Sequence, residues 1–338
     1  MSLKIGKPKF LHVTGHKLQT LLDAPKLVSG MYQWHKVMDG PMELLDDCLD
    51  RLHEYDIIYL CMSQLDLNAR IATRVREQLN KKGSNAQLVV TVDYAVEMWG
   101  MSLQPRWLKA ELLAANVLMA STTTMASYFR ILVDDQIAVH VVPHPADLGL
   151  LRSHRQPLEK RAAHILAMVH MYDNNWLSVW MISHDCGWPV TAIVMDQKHI
   201  GKVRGHFAHF KPGMPYEPWL EWMAKQSIMV DSYQRMHSYG RQSIECAALG
   251  IPIIGSNLVE SQEYLWPDLT APGEDVWTQR QMLKRLMTEP TFYKDAADQA
   301  ESKVGRYGHD ESRKRFGEAC GWAGSEGRPA AEIQSSAG

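Results

Sequence analysis

"SIMVDSYQRMHSYGRQSIECAALGIPIIGS", residues 227–256, joins two apolar runs through a glycine corner and a helical pattern. We predict a strand over 227–233, a helix that opens at Gly240, and a second strand over 251–256. An apolar strand, a helix and another apolar strand form the repeating unit of a parallel sheet that is covered on both faces. Glu245, an acid within the apolar stretch of this helix, indicates a role beyond packing.

The same alternation extends through both halves of the chain. Further strands are predicted over residues 9–14, 56–63, 87–93, 116–121, 138–143, 164–170 and 190–196. Residues 41–55 and 67–82 repeat apolar side chains at the helix period. The sequence therefore predicts an α/β protein with two Rossmann-like, doubly wound parallel-sheet domains. Ligands are expected where the carboxyl ends of the two sheets face each other across a cleft.

The chain has 338 residues, more than the ~100 to 200 of a typical single domain. We predict an N-terminal domain over 1–150 and a C-terminal domain over 151–316, whose last helix can pack back on the first domain. Residues 317–338, rich in Gly, Ala and Ser, are predicted to form a disordered tail. The net charge of -2 gives no overall attraction to nucleic acids or anionic membranes.

Cysteine usage and motif content exclude several classes of protein. The five cysteines are scattered and form no C-x-x-C pair, which predicts a cytoplasmic protein. The sequence has no long apolar segment, so we predict no transmembrane helix. Neither G-x-x-x-x-G-K-[ST] nor G-x-G-x-x-G occurs, which argues against a P-loop ATPase and a dinucleotide dehydrogenase. Histidines 199, 206 and 209 lack the helical spacing of a zinc site, so we expect no metal site and no cofactor.

The corner at Gly240 has the physical character of an anion site. A helix that opens directly after a strand points its first free N–H groups and the positive end of its dipole out of the sheet, and such an end attracts phosphate. Arg241 adds guanidinium donors beside it. Glu245, one turn further along, is placed to accept hydrogen bonds from neutral hydroxyls such as those of a ribose diol.

"SYGRQSIECAALGIPIIGSN" resembles the donor-binding motif of the retaining, GT-B-fold glycosyltransferases of the "group 1" type, the glycosyltransferase family 4-like enzymes. The segments "ANVLMASTTTMASYFRI" and "IAVHVVPHPADLGLL" are similar to the junction between the two domains of that family. The resemblance covers most of 87–316 and is weak before residue 50. The residues in register with the donor-binding motif are Tyr239, Gly240, Glu245, Ala247, Gly250 and Pro252.

This resemblance implies a GT-B glycosyltransferase that moves a hexose or pentose from a nucleotide-sugar to a hydroxyl acceptor, with retention and without a required metal. Glu245 would bind the ribose. Asp93 and His237 are the implied catalytic residues. The implied donor-binding residues are Gly15, His16, His170, Tyr239, Gly240, Arg241, Gln242 and Glu245.

The sequence also departs from the family pattern at two places. His237 stands eight residues before Glu245, where the family usually has a second glutamate, and the segment that begins with His170 lacks the usual Arg and Lys. Besides Arg241, the cations that could neutralise the diphosphate are Lys198, Lys202 and Arg204.

These departures leave two alternatives, a nucleotide-sugar epimerase of the same fold and a non-catalytic nucleotide-binding protein. The acceptor stays open among a small molecule, a glycan, a lipid-linked sugar, a protein and a modified nucleic acid.

Overall fold

The computed structural model describes the chain in two compact units. The described residues are 8–15, 30–62, 70–92, 96–97, 105–170, 173, 175–194, 200–203, 205–207, 209–212 and 215–322. The first unit comprises the described residues up to Pro145 together with those from His309 onward, and the second unit is Ala146–Gly308.

The first unit contains a parallel sheet with the strand order β2-β1-β3-β4-β5-β6. Side chains alternate between its faces: Leu11 and Val13 enter one apolar core, and Phe10 enters another on the opposite face. The strands are β1 (Phe10–Thr14), β2 (Met42–Leu44), β3 (Ile57–Met62), β4 (Gln87–Val92), β5 (Val117–Ala120) and β6 (Val139–Val141). Its helices before Pro145 are α1 (Trp34–Met38), α2 (Leu45–Cys48), α3 (Ile71–Lys81), α4 (Pro105–Leu113) and α5 (Thr123–Val133), with 3-10 turns at Met31–Gln33 and Leu49–Glu54.

The second unit contains a parallel sheet with the order β12-β11-β10-β7-β8-β9. The chain moves outward from β7 in one direction and then returns to the other side of β7, which is the Rossmann order. The strands are β7 (Ala162–Val169), β8 (Val190–Val194), β9 (His209–Pro212), β10 (Gln226–Asp231), β11 (Ile253–Ser256) and β12 (Thr270–Ala271). The helices are α6 (Leu148–Ser153), α7 (Trp176–Ser183), α8 (Ile200–Val203), α9 (Tyr216–Met223), α10 (Arg241–Leu249), α11 (Glu260–Leu265), α12 (Val276–Thr288) and α13 (Pro290–Val304), with 3-10 turns at Leu158–Lys160, Pro267–Leu269 and Gly305–Tyr307.

The predicted fold class, two Rossmann-like domains with doubly wound parallel sheets, is confirmed. Every strand predicted from the sequence is present. The helix predicted over 41–55 is wrong at its start, because residues 42–44 form β2. Strands β9 and β12 were missed. All three overlooked strands lie at sheet edges, where short and partly polar strands have only one neighbour and leave a weak apolar signal.

The last helix of the described chain, α14 (His309–Ala319), belongs to the first unit. The Phe316 ring packs edge-on against Phe10 at 5.7 Å between ring centroids, and Arg313 Nε donates to the Val37 carbonyl at 2.6 Å. This division differs from the predicted boundaries, which assigned 151–316 to the second domain and began the tail at 317. Residues 317–319 are helical and Cys320 is buried, because they complete the core around Phe316.

Residues 323–338 of the predicted tail lie outside the described residues. Within the part of the chain that is described, no helix is long and apolar enough to cross a membrane.

Candidate functional site

The candidate site lies where β7 and β10 end in the second sheet. These strands are parallel neighbours, and the chain leaves them toward opposite edges of the sheet. Such a switch point opens a crevice outside the carboxyl ends of the strands, and ligands of doubly wound folds bind there. His170 directly follows β7, and Asp231 is the last residue of β10.

His170 and Asp231 form an ion pair across this switch point. Nε2 of His170 lies 2.7 Å from Oδ1 of Asp231, and the Tyr233 ring stacks on the imidazole at 4.4 Å between centroids. Burial on its own lowers the pKa of His170, but the charge and hydrogen bond of Asp231, helped by the charge of Asp173, outweigh it and raise that pKa. The imidazolium is therefore more populated than in an ordinary histidine.

Asn175 ties the two strand ends together. Its Oδ1 accepts from the backbone N–H of His170 at 2.8 Å, and its Nδ2 donates to the carbonyls of Met168 and Ser232 at 3.2 and 2.9 Å. The side chain is fully buried, so each of these bonds is shielded from water. The backbone on both sides of the crevice is thereby held in one arrangement.

Asp173 fixes the loop that leads to the glycine corner. Its two carboxylate oxygens accept from the backbone N–H groups of Gln234, Arg235 and Met236 at 2.6, 2.8 and 3.0 Å. The carboxylate is fully buried, and hydrogen bonds to an ionised group are among the strong ones. The loop that ends at His237 is thus fastened to the segment after β7.

Replacing Asp173 by asparagine is expected to loosen this loop. The asparagine amide retains one acceptor oxygen, but its NH2 group would face backbone N–H groups that are themselves donors. We therefore expect the free energy of unfolding to fall by ~1 to 3 kcal/mol. Urea unfolding measures that loss, and amide exchange at 234–236 should accelerate. Asp185→Asn is the matched control, because the Asp185 side chain is 93% exposed. A loss no larger than that of the control would contradict the role of Asp173.

Gly240 forms the corner before α10. Its φ is 83°, and a Cβ at this position would lie 2.2 Å from Cγ1 of Val259 and 2.3 Å from Oγ of Ser261, so only glycine fits. Ser261 Oγ donates to the Gly240 carbonyl at 2.8 Å, and Gly240 itself, the N-cap residue of α10, makes no side-chain cap hydrogen bond. The N–H groups and the dipole of such a helix end attract anions. Gly250, with a φ of 70°, ends the helix.

Glu245 lies one turn into α10 and is completely buried. Its Oε1 accepts from the Tyr216 hydroxyl and lies 3.3 Å from Nε of Arg241. The Arg241 guanidinium also stands 5.5 Å from the Tyr216 ring centroid. Arg241 is therefore turned toward Glu245 and α9, and the carboxylate balances part of its charge.

The remaining predicted residues lie in several places. His237, Tyr239 and Gln242 are half-buried around the same corner of the second unit. Gly15 follows β1 in the first unit. Lys202 is in α8, and the predicted residues that lie outside the described chain are His16, Asp93, Lys198 and Arg204.

Several residues of the site were missed from the sequence. Asp231 ends the apolar run "SIMVD", and Asp173 follows the apolar strand before "NNW", so the placement of these acids after strands was a usable signal. Tyr216 gave none, because its bond to Glu245 spans 29 residues. Among the described residues, no three His, Cys, Asp or Glu side chains meet in a group that could hold a metal ion.

Comparison with known proteins identifies the fold. No protein-family model and no curated protein sequence matches the chain. The Anabaena protein Alr3699/HepE, solved with UDP and glucose, superposes with a TM-score of 0.68 at 12% identity over 93% of this chain and 99% of that chain. An alpha-glucosyltransferase, solved with UDP-glucose and DNA containing an abasic site, gives 0.66 at 10% identity over 93% and 100%.

A trehalose-6-phosphate synthase, studied as an enzyme of glycosyltransfer with retention, gives a TM-score of 0.64 at 10% identity over 91% of this chain and 98% of that chain. The chain therefore has the fold of the GT-B glycosyltransferases.

Proposed function

We propose that this protein transfers a sugar from a nucleotide-sugar to a hydroxyl acceptor. One observation carries the proposal: the amino end of α10, which begins after the glycine corner at Gly240, lies at the carboxyl edge of the second sheet, in a fold shared with proteins solved with UDP or UDP-glucose. An anion such as a diphosphate suits that helix end. Because the three named neighbours include a glucosyltransferase and a glycosyl-transferring synthase, they support transfer over epimerisation.

In this reaction the bond between the anomeric carbon and the β-phosphate oxygen breaks, and the electron pair leaves with the phosphate. The acceptor oxygen bonds to the anomeric carbon, and its proton passes to the departing phosphate. Negative charge grows on the leaving group, so the amides of α10 that face it lower the barrier. Glu245 is fully buried beneath its contacts with Tyr216 and Arg241, so it would hold the ribose only once these side chains make room for the donor. Gly240, Arg241 and Gln242 would surround the diphosphate.

Two finer points belong to the same proposal. We infer retention of the anomeric configuration, in keeping with the retention described for the trehalose-6-phosphate synthase neighbour. We also infer that helix-end amides and nearby cations support the leaving group without a required metal. The anomeric configuration of the product by proton NMR tests the first inference, and activity in the presence of EDTA tests the second.

The function is tested by thermal stabilisation with a panel of UDP-, GDP- and ADP-sugars, followed by detection of the released nucleoside diphosphate. A ligand at about 100 times its dissociation constant adds about 2.7 kcal/mol of stability, so we expect Tm to rise by roughly 4 °C with the cognate donor. Transfer to an added acceptor, or slow donor hydrolysis without one, should follow. No stabilisation by any nucleotide-sugar or nucleoside diphosphate would contradict the proposal, and an epimerised free donor would replace it with the epimerase alternative.

A further inference from the structure

The proposed donor site has two basic side chains, each beside a buried acid. Arg241 is paired with the fully buried Glu245 and His170 with the buried Asp231, so the charge of each is partly balanced by a carboxylate. The amides of α10 contribute partial charges. A nucleoside diphosphate carries more than one full negative charge, and the segment after β7, where the family pattern has Arg and Lys, begins with His170.

We propose that His170, with Asp231 behind it, is a titratable cation that binds the diphosphate of the donor and makes donor affinity depend on pH. This inference rests on the proposed function, because it assigns a charge to that same site.

The position of the imidazole supports this role. Because Nε2 is engaged by Asp231 at 2.7 Å, Nδ1 is the nitrogen left to meet a ligand, and it has no hydrogen-bond partner among the described residues. The side chain is 17% exposed, so a ligand in the crevice has access to the ring. The ring follows β7 at the switch point, where ligands of this fold class bind.

Contacts also connect the imidazole to the amino end of α10. Tyr233 stacks on His170 at 4.4 Å between centroids, and the Tyr233 hydroxyl bonds to the Ser238 side chain. Ser238 Oγ in turn accepts from the Gly240 N–H at 3.3 Å. Two side chains thus link His170 to the residue that opens the helix.

The charged and titratable groups around His170 come from two segments. Asp231 ends β10, Asp173 lies in the segment after β7, and Tyr233 lies in the loop after β10. Burial raises the pKa of Tyr233, so its hydroxyl stays neutral, and the two carboxylates favour the imidazolium.

The sign of the pH dependence follows from this arrangement. The pKa of His170 is raised, so the imidazolium persists to higher pH than an ordinary histidine of pKa 6.5 allows. A bound diphosphate raises that pKa further. Above the pKa of the free protein, binding must take up a proton, and affinity should fall by up to about tenfold per pH unit.

The test is isothermal titration of the full chain with UDP between about pH 7 and about pH 9, where the terminal phosphate, with a second pKa near ~6, is already ionised. Wild-type affinity should fall as pH rises. His170→Gln should bind about tenfold or more weakly with a flat profile, and His170→Arg should restore affinity with a flat profile. Asp231→Asn should move the fall to lower pH. His184→Gln, at a second half-buried histidine of the same unit, is the control and should match wild type.

A different result is expected if the pair of His170 and Asp231 only holds β7 and β10 together. In that case His170→Gln lowers Tm but keeps the wild-type pH profile of UDP affinity, which overturns the inference and leaves the proposed function intact. If His170→Gln does not fold, the Asp231→Asn profile decides, and an unshifted profile overturns the inference. If wild type binds no UDP, GDP or ADP at any pH, the proposed function itself fails.

Discussion

Gly240→Ala is expected to reduce transfer activity by about 100-fold or more, because a misplacement of ~1 Å at a reaction site has that effect. The added methyl would lie 2.2 Å from Cγ1 of Val259 and 2.3 Å from Oγ of Ser261, and the φ of 83° is strained for alanine. The corner must therefore open, which moves the amides of α10 away from the proposed diphosphate position. We expect the free energy of unfolding to fall by ~2 to 4 kcal/mol.

Gly149→Ala is the matched control for this substitution. Gly149 lies in α6, and its added Cβ would meet only Oδ1 of Asp147 at 3.5 Å, an ordinary contact. Alanine is favoured over glycine in a helix, so the control should be neutral or slightly stabilising. Initial rates with the cognate donor and urea unfolding measure both variants. Wild-type rates for Gly240→Ala would show that the corner does not set the geometry of the site.

Glu245→Ala is expected to abolish measurable UDP binding and to lower the free energy of unfolding by ~3 to 5 kcal/mol. The substitution removes a buried carboxylate that serves the Tyr216 hydroxyl and Arg241. It also removes the proposed partner of the ribose. Calorimetry with UDP and urea unfolding measure the two effects, and Glu263→Ala on exposed α11 surface is the control.

The two roles of Glu245 can be separated with a second ligand. If the carboxylate binds the ribose diol, wild type should bind 2′,3′-dideoxy-UDP weakly. Any binding that Glu245→Ala retains should then be equally strong for UDP and for the analogue. The substitution and the missing hydroxyls would remove the same interaction, so their effects would not add. Independent, additive losses would show that Glu245 acts only as the internal partner of Tyr216 and Arg241. That outcome would remove Glu245 from the donor site without affecting the helix end.

The pattern of apolar residues along the sequence predicted the strands of both sheets, but it did not predict the polar contacts of the site. The strands that lie within both sheets are buried on two faces, so each appears in the sequence as an apolar run, whereas edge strands such as 42–44 do not. The glycine corner was predictable for a similar reason, since Gly240 needs a backbone conformation that other residues rarely adopt.

The polar partners in the site could not be predicted in the same way. Asp173 bonds to N–H groups that lie 61 to 63 residues away, and the pair of His170 with Asp231 also spans 61. Spacing along the chain carries no information about such pairs, because they are created by strands that become neighbours only in the folded sheet. The resemblance to a family singled out His170 and Glu245 as candidates, but it gave neither the acid behind the histidine nor the tyrosine beside the glutamate.

The placement of α14 in the first unit has a consequence for biosynthesis. The second unit has all the strands of its sheet once residue 271 has been made, and it needs nothing beyond Gly308. The first unit comes earlier in the chain, yet its core lacks Phe316 until the residues that follow the second unit have been made. N-terminal domains usually fold first on the ribosome. In this chain, the core of the second unit can be completed before the core of the first. Until then, Phe10, Trp34 and Tyr59 lack the aromatic ring of Phe316, which packs on all three in the finished core.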